Sequence, residues 1–285
     1  MADFLETLPT GLLKRADCPK EDRRIPLLDV QSVNKSYRSA GGTLNVLSDI
    51  TLSVAAGEFV TLVGPSGCGK STLLSIIAGL EEPSSGSITL NGQVNIRRLG
   101  QVGYMPQRDL LLPWRSALDN AIAGLEIQGV SRRAARRQAQ ALFAEFGLAG
   151  FSQSYPFELS GGMRQRVAFA RTVLAGGKLV LLDEPFGALD SLTRAALQRW
   201  LLGIWEQLGM ACLFVTHDID EALLLADRVY GLSPRPGQVR IERRVPLPRP
   251  RPPAMLLQSE LLEVKRELAG ALAEGGSLNE VRQGT

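Results

Sequence analysis

No stretch of this sequence restricts its fold more than residues 64–72, Gly-Pro-Ser-Gly-Cys-Gly-Lys-Ser-Thr. The run fits G-x-x-x-x-G-K-[ST], a phosphate loop that needs a strand before it and a helix after it. Residues 59–63, Phe-Val-Thr-Leu-Val, form the continuous apolar run of a buried parallel strand. Leu73, Leu74, Ile76, Ile77 and Leu80 then fall on one helical stripe. Strand, loop and helix make an anion site, because backbone N–H groups converge there and the helix N-terminus adds a favourable dipole. Glycine lets the backbone come close to phosphate oxygens. Gly64, Pro65, Ser66, Gly67, Cys68, Gly69, Lys70, Ser71 and Thr72 are therefore expected to hold nucleotide phosphates. Lys70 should reach the β- and γ-phosphates, and Ser71 should place its hydroxyl on Mg²⁺. A glycine-rich turn that merely precedes a helix explains the loop but not its flanks.

The totals narrow the partners. A net charge of +3 over 285 residues is too mild to argue for nucleic acid. Cys18, Cys68 and Cys212 are odd in number and widely spaced, so they build no metal or disulfide framework, and a reducing compartment suits them. No apolar run approaches the ~18 residues of a membrane span, and residues 1–24 lack the apolar core of a signal peptide. The expectation is a soluble intracellular chain that meets any membrane through a partner.

Along the chain, residues 1–25 look like a charged extension outside the fold. Residues 27–33 suit a first strand, and Tyr37 follows it. An aromatic there either stacks on an adenine base or packs locally. Residues 46–54 alternate as a half-buried strand does, with Ile50, Leu52 and Val54 on one face. Residues 87–90 enter a hairpin at Asn91-Gly92, and 102–105 are a short strand running into Pro106-Gln107. The irregular apolar segment 109–114 is read as core in preference to an exposed partner surface.

From 115 to 174 the pattern is helical. Ser131 is the expected N-cap of a helix with Leu142, Phe143 and Phe146 on its apolar face. Arg132, Arg133, Arg136 and Arg137 on that helix are read as a solvated face before acidic-lipid or partner binding. Ser160, Gly161 and Gly162 open a further helix as a second, weaker phosphate cradle. Residues 179–182 are a fully apolar strand that ends in Asp183-Glu184. Adjacent carboxylates at a sheet's C-terminal edge are costly without partners, and ligands bind at that edge. With a phosphate loop present, Asp183 suits Mg²⁺ and Glu184 suits activation of water. A helix from Ser191 to Gly209 carries Trp200 and Trp205 as core. Residues 212–216 are the next buried strand. His217, the chain's one histidine, stands at its end on the same predicted edge, which favours γ-phosphate contact over a purely structural role. Residues 218–226 are helical, and 228–232 are a last strand. Five prolines in 246–253 read as an extended linker. Residues 256–272 form an amphipathic helix with no assigned role, and 275–285 a frayed tail.

Taken together, these motifs resemble the ATP-binding subunit of ATP-binding-cassette transporters, from about residue 25 to residue 244. The Walker A loop is 64–72, and the Walker B strand is 179–183 followed by Glu184. The signature is Leu159-Ser160-Gly161-Gly162-Met163. Gln107 matches the Q-loop, Ala188-Leu189-Asp190 the D-loop, His217 the switch histidine and Tyr37 the adenine-stacking aromatic. Met163 stands where many members carry Gln, but the phosphate contacts there are expected from Ser160 and backbone N–H groups. Met105-Pro106-Gln107, Leu111-Leu-Pro-Trp114 and the run from Glu184 to Asp190 look like importers of nitrate, sulfonate, taurine or related small solutes.

The resemblance implies an α/β fold: a P-loop NTPase core with a parallel sheet, an N-terminal antiparallel β subdomain and an α-helical signature subdomain at about 115–174. The ATPase domain would occupy 26–245, with 246–285 a Pro-rich linker and C-terminal helix. It implies ATP and Mg²⁺, the metal held by Ser71, Gln107 and Asp183. It also implies a head-to-tail pair of subunits, most simply a homodimer, with each ATP between the loop of one and the signature and Asp190 of the other. Integral membrane permease subunits would be direct partners, meeting Gln107 and 111–114, and a solute-binding protein an indirect one. Nucleic acid is not a partner. The place would be the cytoplasmic face of the inner membrane, as a peripheral subunit. Two other readings compete. A soluble cassette ATPase of DNA repair or translation usually carries two cassettes or long insertions, and a non-catalytic regulator would not need Lys70, Asp183, Glu184 and His217 intact.

Overall fold

The computed structural model describes residues 26–39, 42–94, 97–187 and 189–273. The proposed extension 1–25 with Cys18, the D-loop residue Ala188 and the tail 275–285 lie outside them. In chain order the elements are β1 (Leu28–Ser39), β2 (Gly42–Val54), β3 (Phe59–Val63), α1 (Lys70–Ala78), β4 (Ser85–Leu90), β5 (Gln93–Val94) and β6 (Gly103–Met105). Next come α2 (Ala117–Ala121), α3 (Ala123–Ile127), α4 (Arg132–Glu145), α5 (Gly161–Leu174), β7 (Leu179–Asp183), α6 (Ser191–Leu208) and β8 (Ala211–Thr216). The chain closes with α7 (Ile219–Leu225), β9 (Arg228–Leu232), β10 (Val239–Arg244) and α8 (Ser259–Ala273). Two compact units result. Gly100–Met210 forms the helical unit, and the described residues 26–99 and 211–273 form the loop unit.

In the loop unit, β2, β1, β4 and β5 make an antiparallel sheet in that order. β2 turns Ile50, Leu52 and Val54 inward and Asp49 and Thr51 outward, the alternation of a sheet with one wet face. β1 runs past the expected residue 33 to Ser39 and so carries Tyr37 within the strand. Every residue of β3 is buried. It pairs in parallel with β8, Phe59 opposite Cys212 through Val63 opposite Thr216, and with β9 on its other side. Phe59 and Phe214 meet there with ring centres 5.8 Å apart. α1 stops at Ala78 on a left-handed Gly79, which leaves Leu80 exposed instead of on the buried stripe.

Two expectations fail in this unit. Residues 228–232 are not the last strand, because β10 follows and pairs antiparallel with β9. Nor is 246–253, read as an extended linker, merely a connection. Arg251 within it is buried and bonded to the loop unit's backbone, and α8 then buries Leu261, Val264 and Leu268.

In the helical unit, β6 and β7 pair in parallel, with Met105 opposite Leu182. α4 buries Ala135, Ala139, Leu142 and Phe143. Phe146 stacks on Phe169 and meets Trp200 edge-on, at 5.8 and 4.9 Å. Trp205 is core as expected, whereas Trp200 is only half-buried under the Arg166 guanidinium. Ser131 occupies the N-cap of α4, but its side chain makes no cap bond. Arg132 and Arg136 are not a simple solvated face, since both grip the Asp119 carboxylate, at 2.7 Å each. The 109–114 segment is likewise not all core: Leu111 is buried, but Leu110 is 58% and Trp114 72% exposed.

Candidate nucleotide site

The phosphate loop takes the shape its glycines permit. Gly67 and Gly69 have φ of 77° and 106°, values that side chains resist. A Cβ on Gly69 would stand 2.6 Å from Leu47 Cδ2, so close approach as well as conformation demands glycine there. The first helical bond of α1 runs from the Leu73 amide to Gly69 O at 2.9 Å. The amides before it are the helix-start donors that anions use. Lys70 is 5% exposed and lays its Nζ across the loop, donating to Gly64 O at 2.8 Å and Pro65 O at 3.0 Å. Ser66, Gly67 and Ser71 face solvent, while Cys68 turns inward.

A second layer supports the loop. Arg235 donates to Gly67 O from Nε and Nη2, at 3.1 and 2.8 Å. Gly237 lies against the loop so closely that a Cβ there would be 2.3 Å from Cys68 O. In sequence, 234–237 looks like nothing more than a turn. The Pro-Gly pair signals the turn, but nothing local signals what it packs against.

Tyr37 lies in the same unit. Its hydroxyl donates to Glu81 at 2.5 Å, its side chain also bonds that of Thr72, and Lys35 Nζ sits 4.9 Å from the ring centre. Lys35 and Glu81 form an ion pair at 3.1 Å. Burial, then the Glu81 carboxylate, pushes the Tyr37 phenol up. The hydroxyl and Lys35 hold the Glu81 carboxyl below its usual range. The ring is 37% exposed beside the loop's last residue. That combination suits stacking on a planar ligand better than core packing. Nothing in the sequence marks Glu81 for this cluster.

The parallel strands align the remaining groups within each unit. Val63 is opposite Thr216, so Gly64 and His217 leave the sheet at one edge, and His217 is exposed there. Asp218 caps the helix that follows, accepting from the Asp220 and Glu221 amides at 2.9 and 3.2 Å. In the helical unit Met105 is opposite Leu182, so exposed Gln107 and the pair Asp183-Glu184 leave one edge. Asp183 is 3% exposed. Glu184 is half-buried with φ of 42°, a left-handed conformation that costs a side-chain-bearing residue about 1–2 kcal/mol. Such strain persists where surrounding structure enforces it, commonly at working sites.

Ser160 is exposed and caps α5, accepting from the Met163 amide at 3.3 Å. Gly161 and Gly162 form that helix's first turn. Asp190 caps α6, and the Thr193 amide, 3.0 Å from its carboxylate, holds that carboxyl below the usual range. The expected residues are thus divided. Tyr37, 64–72 and His217 belong to the loop unit, and Gln107, 160–162, Asp183, Glu184 and Asp190 to the helical unit. Among the described residues no group of three or more His, Cys, Asp or Glu could hold a metal. The expected Mg²⁺ donors Ser71, Gln107 and Asp183 are a hydroxyl, an amide and a carboxylate. Such an oxygen set fits a hard cation that keeps several waters and takes substrate phosphates.

The chain is similar to known proteins along most of its length. A family model described as ABC transporter matches residues 47–187. An uncharacterized ABC transporter ATP-binding protein of Methanocaldococcus jannaschii is 40% identical over 92% of this chain and 97% of its own. The aliphatic sulfonates import ATP-binding protein SsuB of Bacillus cereus is 42% identical over 78% of this chain and 88% of its own. Among solved structures, a dimeric ATP-binding cassette in a post-hydrolysis state bound to ADP and Pi superposes with a TM-score of 0.68. It is 30% identical and covered over 98% of its length, against 76% of this chain.

Proposed function

We propose that this chain, which belongs to the ABC transporter family and hydrolyses ATP, energises import of a small solute through a membrane permease. The observation that carries the catalytic part is the phosphate loop, with Lys70 held over its mouth by two carbonyls that phosphate oxygens can replace. The import part is supported by kinship with a sulfonate import ATP-binding protein along most of both chains. Among the described residues no helix is long and apolar enough to cross a membrane, so a separate permease would supply the path. The solute class follows kinship with import ATP-binding proteins for aliphatic sulfonates, nitrate and taurine: one of these or a related small solute. The chain would work at the cytoplasmic face of the membrane, with a solute-binding protein delivering cargo from the other side.

In this reading Tyr37 stacks on adenine, and the loop amides hold the phosphates while Lys70 turns onto the β- and γ-oxygens. Ser71, Asp183 and Gln107 would hold Mg²⁺, which supplies charge neutralisation at the phosphates when bound. Glu184 accepts a proton from the attacking water, a role worth about 10²–10⁴-fold in rate. His217 holds the γ-phosphate. Ser160, Gly161, Gly162 and Asp190 of a second copy close over the same nucleotide, and loss of the γ-phosphate releases them.

The test is Glu184→Gln in the full chain. It should bind ATP within about twofold of the parent yet hydrolyse it at least about 10²-fold more slowly. Rapid turnover in that variant would remove Glu184 from the reaction. For import, the chain reconstituted with its permease should show ATPase activity raised by the transported solute, and indifference to every sulfonate, taurine or nitrate tried would overturn the solute class.

A further inference from the structure

The C-terminal segment 246–273 has no role in the reading above, yet it is built onto the element that follows His217. α7 has seven residues, too few to hold its shape unaided. Its last carbonyls need partners from outside the helix, and the segment supplies them. Arg251 Nη1 donates to Leu223 O at 3.0 Å and Ala226 O at 2.7 Å, and Arg249 Nη1 donates to Leu225 O at 3.4 Å. The same Arg251 pins its own segment through Leu247 O, at 2.8 Å from Nε. It is 6% exposed, and burial pushes its guanidinium down to about 10. A cation kept under those conditions for backbone acceptors points to a geometric role, and only a planar fork of donors reaches all of them together.

The other end of α7 is gripped as well. Lys265 of α8 holds both oxygens of Asp220, at 2.6 and 2.8 Å, three residues beyond His217. α8 has a firm seat: Leu268 and Leu272 lie 3.9 and 3.5 Å from where a Cβ on Gly231 of β9 would be. His217 therefore sits between β8, fixed by its parallel ladder, and a short helix whose start and finish are both tied to this segment.

We propose that residues 246–273 are a brace that positions His217 through α7, with Arg251 and Lys265 as its positioning residues. This rests on the reading of His217 as a γ-phosphate contact. The brace acts on the rate of hydrolysis and leaves nucleotide affinity, set by Tyr37 and the loop, in place.

The experiment uses the full chain with Lys265→Met and Arg251→Gln, read by steady-state ATPase kinetics, thermal melting and imidazole NMR. His217 is the chain's one histidine, so its ring signals need no assignment. Both variants should lower kcat about tenfold with KM for ATP within twofold, and shift or broaden the His217 resonances, while Lys265→Arg restores both readouts. A lower melting temperature with kcat and the His217 signals unchanged overturns the brace. So does a fall in kcat with the His217 signals unmoved, or moved signals with kcat intact. His217→Ala separates the two ideas. If it keeps full activity, the assignment of His217 falls and the brace with it. If it is inactive while Lys265→Met and Arg251→Gln are silent, the brace alone falls.

Discussion

Tyr37 shows how one side chain is committed before any ligand arrives. Its hydroxyl is fixed by Glu81 and its ring lies under the Lys35 ammonium, so little rotamer freedom remains to be lost on stacking. Base–aromatic stacking is worth about 1–3 kcal/mol. Tyr37→Ala should therefore raise the dissociation constant for ATP at least about fivefold, measured by fluorescence titration. Tyr37→Phe keeps the ring and loses only the tether, so it should stay within about threefold. Equal effects from the two would mean the hydroxyl, not the ring, matters. Lys70→Ala removes the charge that replaces carbonyl partners with phosphate oxygens, and should weaken ATP binding by at least tenfold, about 1.4 kcal/mol. Glu184 marks the limit of reading residues from sequence. Its place after an apolar strand is plain in the letters, but its left-handed backbone depends on the turn that follows and has no sequence signature in a glutamate.

At the level of elements, legibility follows burial. β3, β7 and β8 are buried at every position, and continuous apolar runs announce such strands. β10 is Val-Arg-Ile-Glu-Arg-Arg, exposed at four of its six positions, and its charges mask the weak alternation. The 246–253 segment misleads for a related reason: proline content describes the backbone's stiffness, whereas the Arg251 bonds join residues 25 and 28 positions apart. Gly237 is similar, a turn glycine whose real constraint is the backbone of Cys68. Gly237→Val should push on the loop and raise KM for ATP about tenfold or more, with Gly150→Val, which likewise has no left-handed φ and where a Cβ meets nothing within 4 Å, as the contrast without a clash.

The tie between α2 and α4 gives a pH prediction. Burial pushes the Asp119 carboxyl up, but Arg136 and Arg132 outweigh it and hold it below the usual range. A depressed native value means the tie stabilises the fold above the unfolded aspartate value, near pH 4, and loses that contribution as pH falls through the native one. Asp119→Asn should cost about 1–3 kcal/mol at pH 7. In urea melts the difference from the parent should shrink once the pH drops below about 4, and a difference that grows in acid would reverse the sign of the argument.

The whole molecule carries one phosphate loop and one Ser-Gly-Gly cradle, in different units. In the proposed reading the loop unit holds the groups for base, phosphate and γ-phosphate contact, while Ser160 caps α5 with its hydroxyl taken by the Met163 amide and its outer side exposed. If a nucleotide is closed over by the cradle of a second copy, binding and hydrolysis must respond differently to changes there. Ser160→Arg places a long cation on the exposed cap without touching the loop unit. Its affinity for ATP as a monomer should stay within about twofold, while its turnover falls about 10²-fold. In the Glu184→Gln background, ATP should convert the chain to a dimer on size exclusion, because a ligand that binds the pair preferentially stabilises it by mass action. Adding Ser160→Arg should return the chain to monomer at the same ATP concentration. Should Ser160→Arg instead weaken monomer binding as much as it weakens turnover, the cradle would serve its own chain's nucleotide, and the head-to-tail pair would lose its physical basis.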